Sequence, residues 1–90
     1  MTGTEAYMLN RQKEIKKAHN ARFVIDDKEY RIMYEGGISE SFGVYERPVK
    51  GARKQFKYVT GFAGFRLADK QQVILMAKGM IDSLIKKSKI

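Results

Sequence analysis

Apolar and polar residues alternate through the middle of the chain, whereas near both ends the apolar positions recur every three or four residues. Period two marks a half-buried strand and the longer spacing an amphipathic helix, so the pattern predicts a helix, several strands and a second helix. The first helix is expected from Thr4 to about His19. Tyr7, Met8, Arg11, Ile15 and Ala18 fall along one side and Lys13, Lys16 and Lys17 mostly along the other. Thr2 and Glu5 have capping-box spacing, and Thr4 is a second candidate cap. The apolar side is thin, so this helix needs a sheet to dock against. The last helix, about residues 70–87, opens with another capping box, Asp69 with Gln72. Val73, Ala77, Met80 and Leu84 stack along its centre, flanked by Ile74, Ile81 and Ile85. Leu75 breaks the pattern: it falls with Lys78, Asp82 and Lys86 on the polar side, beside Gly79.

Between the helices, residues 21–25 and 29–35 flank Asp26-Asp27-Lys28, whose acidic side chains support a tight turn. Gly36-Gly37 ends the second strand, and a third is expected at about Ser41–Arg47. The fourth runs from about Lys54 to Phe62, with Phe56, Tyr58, Thr60 and Phe62 assigned to the core face and Gln55, Lys57, Val59 and Gly61 to the opposite one. The expected fold is α+β: an N-terminal helix, a three- or four-stranded antiparallel sheet, and a C-terminal helix packed on one sheet face. Three strands would remain if Ser41–Arg47 were irregular. Phe23, Ile25, Ile32, Tyr34, Phe42, Val44, Phe56, Tyr58, Ile74, Ala77, Ile81 and Leu84 are the expected core. Residues 1–90 read as one small basic domain, with fraying expected at 1–3 and 88–90.

Charge changes this picture. Residues 1–45 carry seven basic and seven acidic side chains, whereas residues 46–90 carry eleven and three, so the net charge of +8 belongs to the second half. Arg47, Lys50, Arg53, Lys54 and Lys57 lie within residues 47–58, with no acid among them. Like charges crowded near one hairpin call for a polyanionic partner. By strand alternation Arg31, Met33, Tyr45, Arg47, Lys57 and Val59 share an open sheet face, edged by Lys50, Arg53 and Lys54. Cations there can neutralise phosphate, and the Tyr45 ring can stack on an unpaired base or lie against sugar. A protruding basic hairpin could instead enter a duplex groove.

The function expected from these residues is that of a noncatalytic nucleic-acid-binding or regulatory protein, with DNA or RNA as partner. The alternative is a small interaction module, inhibitor or adaptor that presents the same hairpin to an acidic protein surface. Lys13, Lys16 and Lys17, and Lys86 and Lys87 with Lys89, form two lesser patches that could add contacts. Leu75 beside Gly79 offers a contact for a homodimer, against a monomer that needs none. With no membrane partner or apolar leader expected, the default location is cytoplasmic or another intracellular compartment.

No catalytic constellation emerges, so the expectation is a protein that is not an enzyme and needs no cofactor or metal. The chain has one histidine and no cysteine, and His19 reads as a helix-end residue. Asp26 and Asp27 read as turn residues, and the serines lack a nucleophile-elbow context. Gly61 and Gly64 precede the last helix and could bring amides to a phosphate, but Asp69 competes for those donors. A strand-to-helix bend, with Phe62 and Phe65 filling core space, accounts for them. The element order resembles that of double-stranded-RNA-binding domains. It departs from them at the start of the last helix, where the expected basic residues are reduced to Lys70 followed by Gln71 and Gln72. The resemblance therefore implies an architecture and no duplex-RNA function.

Overall fold

The alternating runs form four strands, β1 (Arg22–Ile25), β2 (Lys28–Gly36), β3 (Ser41–Pro48) and β4 (Lys57–Ala63), in a computed structural model that describes residues 3–51 and 53–88. They pair antiparallel in the order β1-β2-β3-β4. Helices α1 (Gly3–Lys16) and α2 (Lys70–Ser88) lie before and after the strands in the chain. Thr2 lies outside the described residues, as do the side chains of its partner Glu5 and of the alternative cap Thr4; Lys89 and Ile90 are outside too.

Turn chemistry sets the meander. Asp26 takes a left-handed φ of 57° between Ile25 and its partner Lys28, a conformation that aspartate tolerates. Gly36 and Gly37, with φ of 79° and 83°, turn β2 toward β3. Before β1, the chain leaves α1 at Lys16 rather than His19. Asn20, at φ 69°, redirects it, and its amide donates to the Ile32 carbonyl at 2.8 Å. His19 accepts the Tyr34 amide at Nδ1, 2.8 Å away, which fixes the turn against β2.

One face of the sheet is covered. Ile15 and Ala18 from the first helical region and Val73, Ala77 and Ile81 from α2 meet Tyr30, Ile32, Phe42 and Val44 in a buried cluster. Tyr7 and Met8 are exposed, so only the C-terminal part of the expected α1 face reaches the core. The α2 stripe is turned from the expected line: Val73, Ala77 and Ile81, each four residues apart, form its centre, while Leu84 is 38% exposed. Asp69 caps α2 as expected, its Oδ1 accepting the Gln72 amide at 3.0 Å, while Gln72 Oε1 reaches back one residue further than in a capping box and accepts the Ala68 amide at 2.8 Å.

Arg11 belongs to a polar clamp rather than to the apolar stripe. Its guanidinium donates to Glu40 Oε2 at 2.5 Å, to the Leu67 carbonyl at 2.7 Å and to that of Gly64 at 3.3 Å. Gln12 donates to the other Glu40 oxygen at 2.7 Å. Burial alone would raise the Glu40 pKa, but the hydrogen bonds from Arg11 and Gln12, with the charges of Arg11 and Lys16, hold it below its ordinary value. The clamp joins α1, the β2–β3 turn and the bend before α2.

Candidate nucleic-acid interface

The uncovered sheet face is built around a β-bulge. Val44 pairs with Thr60, but the next residue of β3, Tyr45, pairs with Tyr58, so Val59 is an extra residue in β4. A bulge leaves the added residue unpaired and shifts the alternation by one. Val59 consequently packs against the core with Phe62, and Tyr58 turns to the open face. This overturns the expected places of Phe56 and Tyr58 in the core and of Val59 outside it. Neither Val59 nor Thr60 marks the bulge in sequence.

The same shift moves Lys57. Its partner is Glu46, in the cross-strand row that runs through Tyr30 and Phe23 on the helix-covered side. Lys57 is exposed at the end of that row and does not share the open face with Tyr45, contrary to the sequence-based alternation. Arg31, Tyr45 and Tyr58 do form one open-face row, continued by Arg22 on β1. Beside it runs the row Met33, Gly43 and Gly61.

The paired glycines make room for the tyrosines. A Cβ on Gly61 would lie 2.7 Å from the Tyr58 hydroxyl oxygen, and one on Gly43 would lie 3.0 Å from Tyr45 Cε1 and 2.6 Å from Glu35 Oε1. Each ring therefore reaches over a glycine. The Tyr45 hydroxyl donates to Glu35 Oε2 at 3.0 Å; this bond, then burial and the Glu35 charge, raises its pKa. The Tyr45 and Tyr58 rings meet edge to face at 5.5 Å between centroids and 78° between planes, a favoured aromatic geometry.

Phe56 gathers arginines at the neighbouring position. The guanidinium carbons of Arg47, Arg22 and Arg31 stand 4.3, 5.6 and 5.9 Å from its ring centre, within cation–π range. Glu29 partly neutralises this group, with Arg47 at 2.7 Å and Arg22 at 3.8 Å. Arg31 donates from Nε to Asn20 Oδ1 at 3.0 Å. Arg31, Met33, Tyr45, Gln55 and Phe56 line an open groove of about 470 Å³. Thus Arg31 and Arg47, two of the three arginines expected to bind phosphate, are already engaged, and Phe56 and Tyr58, absent from the expected site, stand at its centre.

The β3–β4 loop carries a further group of cations. Lys50, Arg53 and Lys54 are exposed, and among the described residues neither they nor Lys57 form an ion pair. The loop starts as a 3-10 turn, Val49–Gly51, and the Val49 amide donates to the Asp27 carbonyl at 2.9 Å. That bond continues the β2–β3 ladder one step past Lys28–Pro48, and the β3–β4 pairing ends at Glu46–Lys57, so the described loop residues form no two-stranded ribbon.

No protein-family model, curated protein or solved structure matches the chain. Site chemistry must therefore be read from its own residues. The lesser patches do not join the open face: Lys16 sits 5.2 Å from the Tyr34 ring centre, Lys17 pairs with Glu14 at 2.9 Å and Lys86 with Asp82 at 3.1 Å. Lys13 is exposed on α1, and Lys87 lies on α2 beside the groove described next. Leu75, 65% exposed, and Gly79 line that groove with Met76, Met80, Leu84 and Thr60 of β4; it encloses about 540 Å³. The Gly64 amide is spent on the carbonyls of Ser39 and Glu40, at 3.1 and 3.0 Å, in a strand-to-helix bend. Phe65 is exposed there rather than packed in the core. Among the described residues no group of three or more His, Cys, Asp or Glu side chains converges, and no helix is long and apolar enough to cross a membrane.

Proposed function

We propose that this chain is a noncatalytic nucleic-acid-binding domain, whose contact surface combines the open sheet face with the β3–β4 loop. The observation that carries the reading is the set Lys50, Arg53, Lys54 and Lys57. These cations are exposed and have no ion-pair partner among the described residues: Lys50, Arg53 and Lys54 lie on the loop that leads into the segment bearing Phe56 and Tyr58, and Lys57 projects to the helix-covered side of that segment. Across the sheet, acids offset neighbouring cations: Glu29 serves Arg22 and Arg47, and Glu46 serves Lys28 at 3.3 Å. Uncompensated cations displace the counterions of a nucleic acid, and that release drives binding. Ring faces add a stacking contact for unpaired bases.

The test is fluorescence anisotropy with labelled oligonucleotides, comparing the parent protein with Arg53→Ala/Lys54→Ala and Lys57→Ala variants. The proposal expects binding that weakens in each variant. No binding above that of an unrelated polyanion, or affinities that the substitutions leave unchanged, would reject it. Salt-sensitive capture of one acidic protein after nuclease treatment, without oligonucleotide binding, would favour the interaction-module reading. A homodimer through Leu75 and Gly79 belongs to the same proposal, since Leu75, Met76, Met80 and Leu84 give the groove apolar area on α2, edged by Ser83 and Lys87, and it borders β4, a terminal strand of the sheet.

A further inference from the structure

On the nucleic-acid reading above, we infer that the open face takes single strands and that an unpaired base stacks on Tyr58. Tyr58 keeps 59% of its surface in water although its hydroxyl reaches over Gly61 and its ring meets Tyr45. Support from both neighbours holds the ring in place, and the edge-to-face contact with Tyr45 leaves most of it accessible. Stacking on such a ring costs little ordering, because the ring is already positioned.

The surroundings favour the same ligand. Phe56 lies two residues away on the same side of the chain, with three guanidinium groups around its ring. Two residues of strand span about 6.6 Å, so a strand whose base rests on Tyr58 passes its backbone near those cations. Met33 and the groove beside Phe56 offer apolar area for a neighbouring base or sugar. A duplex cannot use this arrangement, since its base faces are covered by stacking and pairing. Groove entry would need a projecting two-stranded element, whereas the β3–β4 pairing ends at Glu46–Lys57.

The experiment titrates the intact chain with oligothymidylate, with oligouridylate and with a mixed-sequence duplex of equal length, at one salt concentration. Anisotropy gives affinity, and intrinsic emission reports stacking, because the chain has five tyrosines and no tryptophan. Single strands should bind more tightly than duplex and quench the tyrosine emission. Tyr58→Phe, which keeps the ring, should hold single-strand affinity within about twofold, whereas Tyr58→Leu should lose roughly 5- to 150-fold. Neither substitution should change duplex binding through the loop. Duplex binding as tight as single-strand binding, or a Tyr58→Leu protein of parental circular dichroism and affinity, overturns this inference and leaves the proposed function standing. Failure to bind any of the three overturns both.

Discussion

Replacing Glu40 tests whether the polar clamp holds α1 on the sheet. The Glu40 side chain is 7% exposed and that of Arg11 12%, so Glu40→Ala strands a guanidinium that water reaches poorly. Breaking a buried pair in this way costs about 3–5 kcal/mol. Arg11 keeps the carbonyls of Leu67 and Gly64 as acceptors, which lowers the expected loss to about 2–4 kcal/mol. At roughly 4–8 °C per kcal/mol for a domain of this size, the melting temperature should fall by about 8–32 °C. Glu40 also has a left-handed φ of 50°, so Glu40→Gly should be about 1 kcal/mol more stable than Glu40→Ala although both lack the carboxylate. Because the folded pKa lies below the ordinary glutamate value of 4.5, the carboxylate stabilises the fold above that pH. Its contribution disappears as pH falls through the folded value. Glu40→Gln should therefore lose stability at pH 7 and show a shallower acid limb. Urea titrations by circular dichroism between pH 7 and 3 measure both effects. A Glu40→Ala protein within about 0.5 kcal/mol of the parent, or a Glu40→Gln protein with the parental acid slope, would refute the reasoning.

Three other outcomes follow from the packing. A methyl group on Gly64 would stand 2.7 Å from the Glu40 carbonyl oxygen and from Phe42 Cε2, so Gly64→Ala should cost about 1–3 kcal/mol in denaturant titration; parental stability would exclude the close approach. Burial first, then the charge of and hydrogen bond with Glu46, push the Tyr30 pKa from 10.0 up to about 12. Its neutral form thus contributes stability that is intact below pH 10 and lost as pH rises through about 12, and Tyr30→Phe should flatten that alkaline limb. Sedimentation over a range of concentrations should reveal a dimer that Leu75→Glu disrupts; a parent that remains monomeric, or a dimer indifferent to the substitution, rejects the α2 contact.

The helix, strand and turn signals were legible because each rests on local chemistry. Asp26-Asp27, Gly36-Gly37 and the Asp69–Gln72 cap act within a few residues of themselves, and the alternation of β2 holds through Tyr34 and that of β3 along its whole pairing with β2. The errors begin where one residue changes the count. Without the bulge at Val59, alternation puts Phe56 and Tyr58 in the core and Lys57 on the open face; with it, all three exchange sides. Arg11 illustrates a second limit, since its spacing fits the apolar stripe while its partner Glu40 comes from a distant turn. The basic loop was visible as a charge run, but the engagement of Arg31 and Arg47 by Asn20 and Glu29 depends on strand register. The glycine pair beneath the tyrosines likewise acquires meaning only when β3 and β4 align.

The most direct measurement of the central claim is the salt dependence of oligonucleotide affinity for the parent and for a Lys50→Ala/Arg53→Ala/Lys54→Ala/Lys57→Ala protein. Each neutralised phosphate contributes about −0.7 to −0.9 to the slope of log K against log salt. If the four unpaired cations each meet a phosphate, the substituted protein should show a slope shallower by roughly 3 and a matching loss of affinity at low salt. Equal slopes and affinities for the two proteins, with circular dichroism unchanged, would contradict the account.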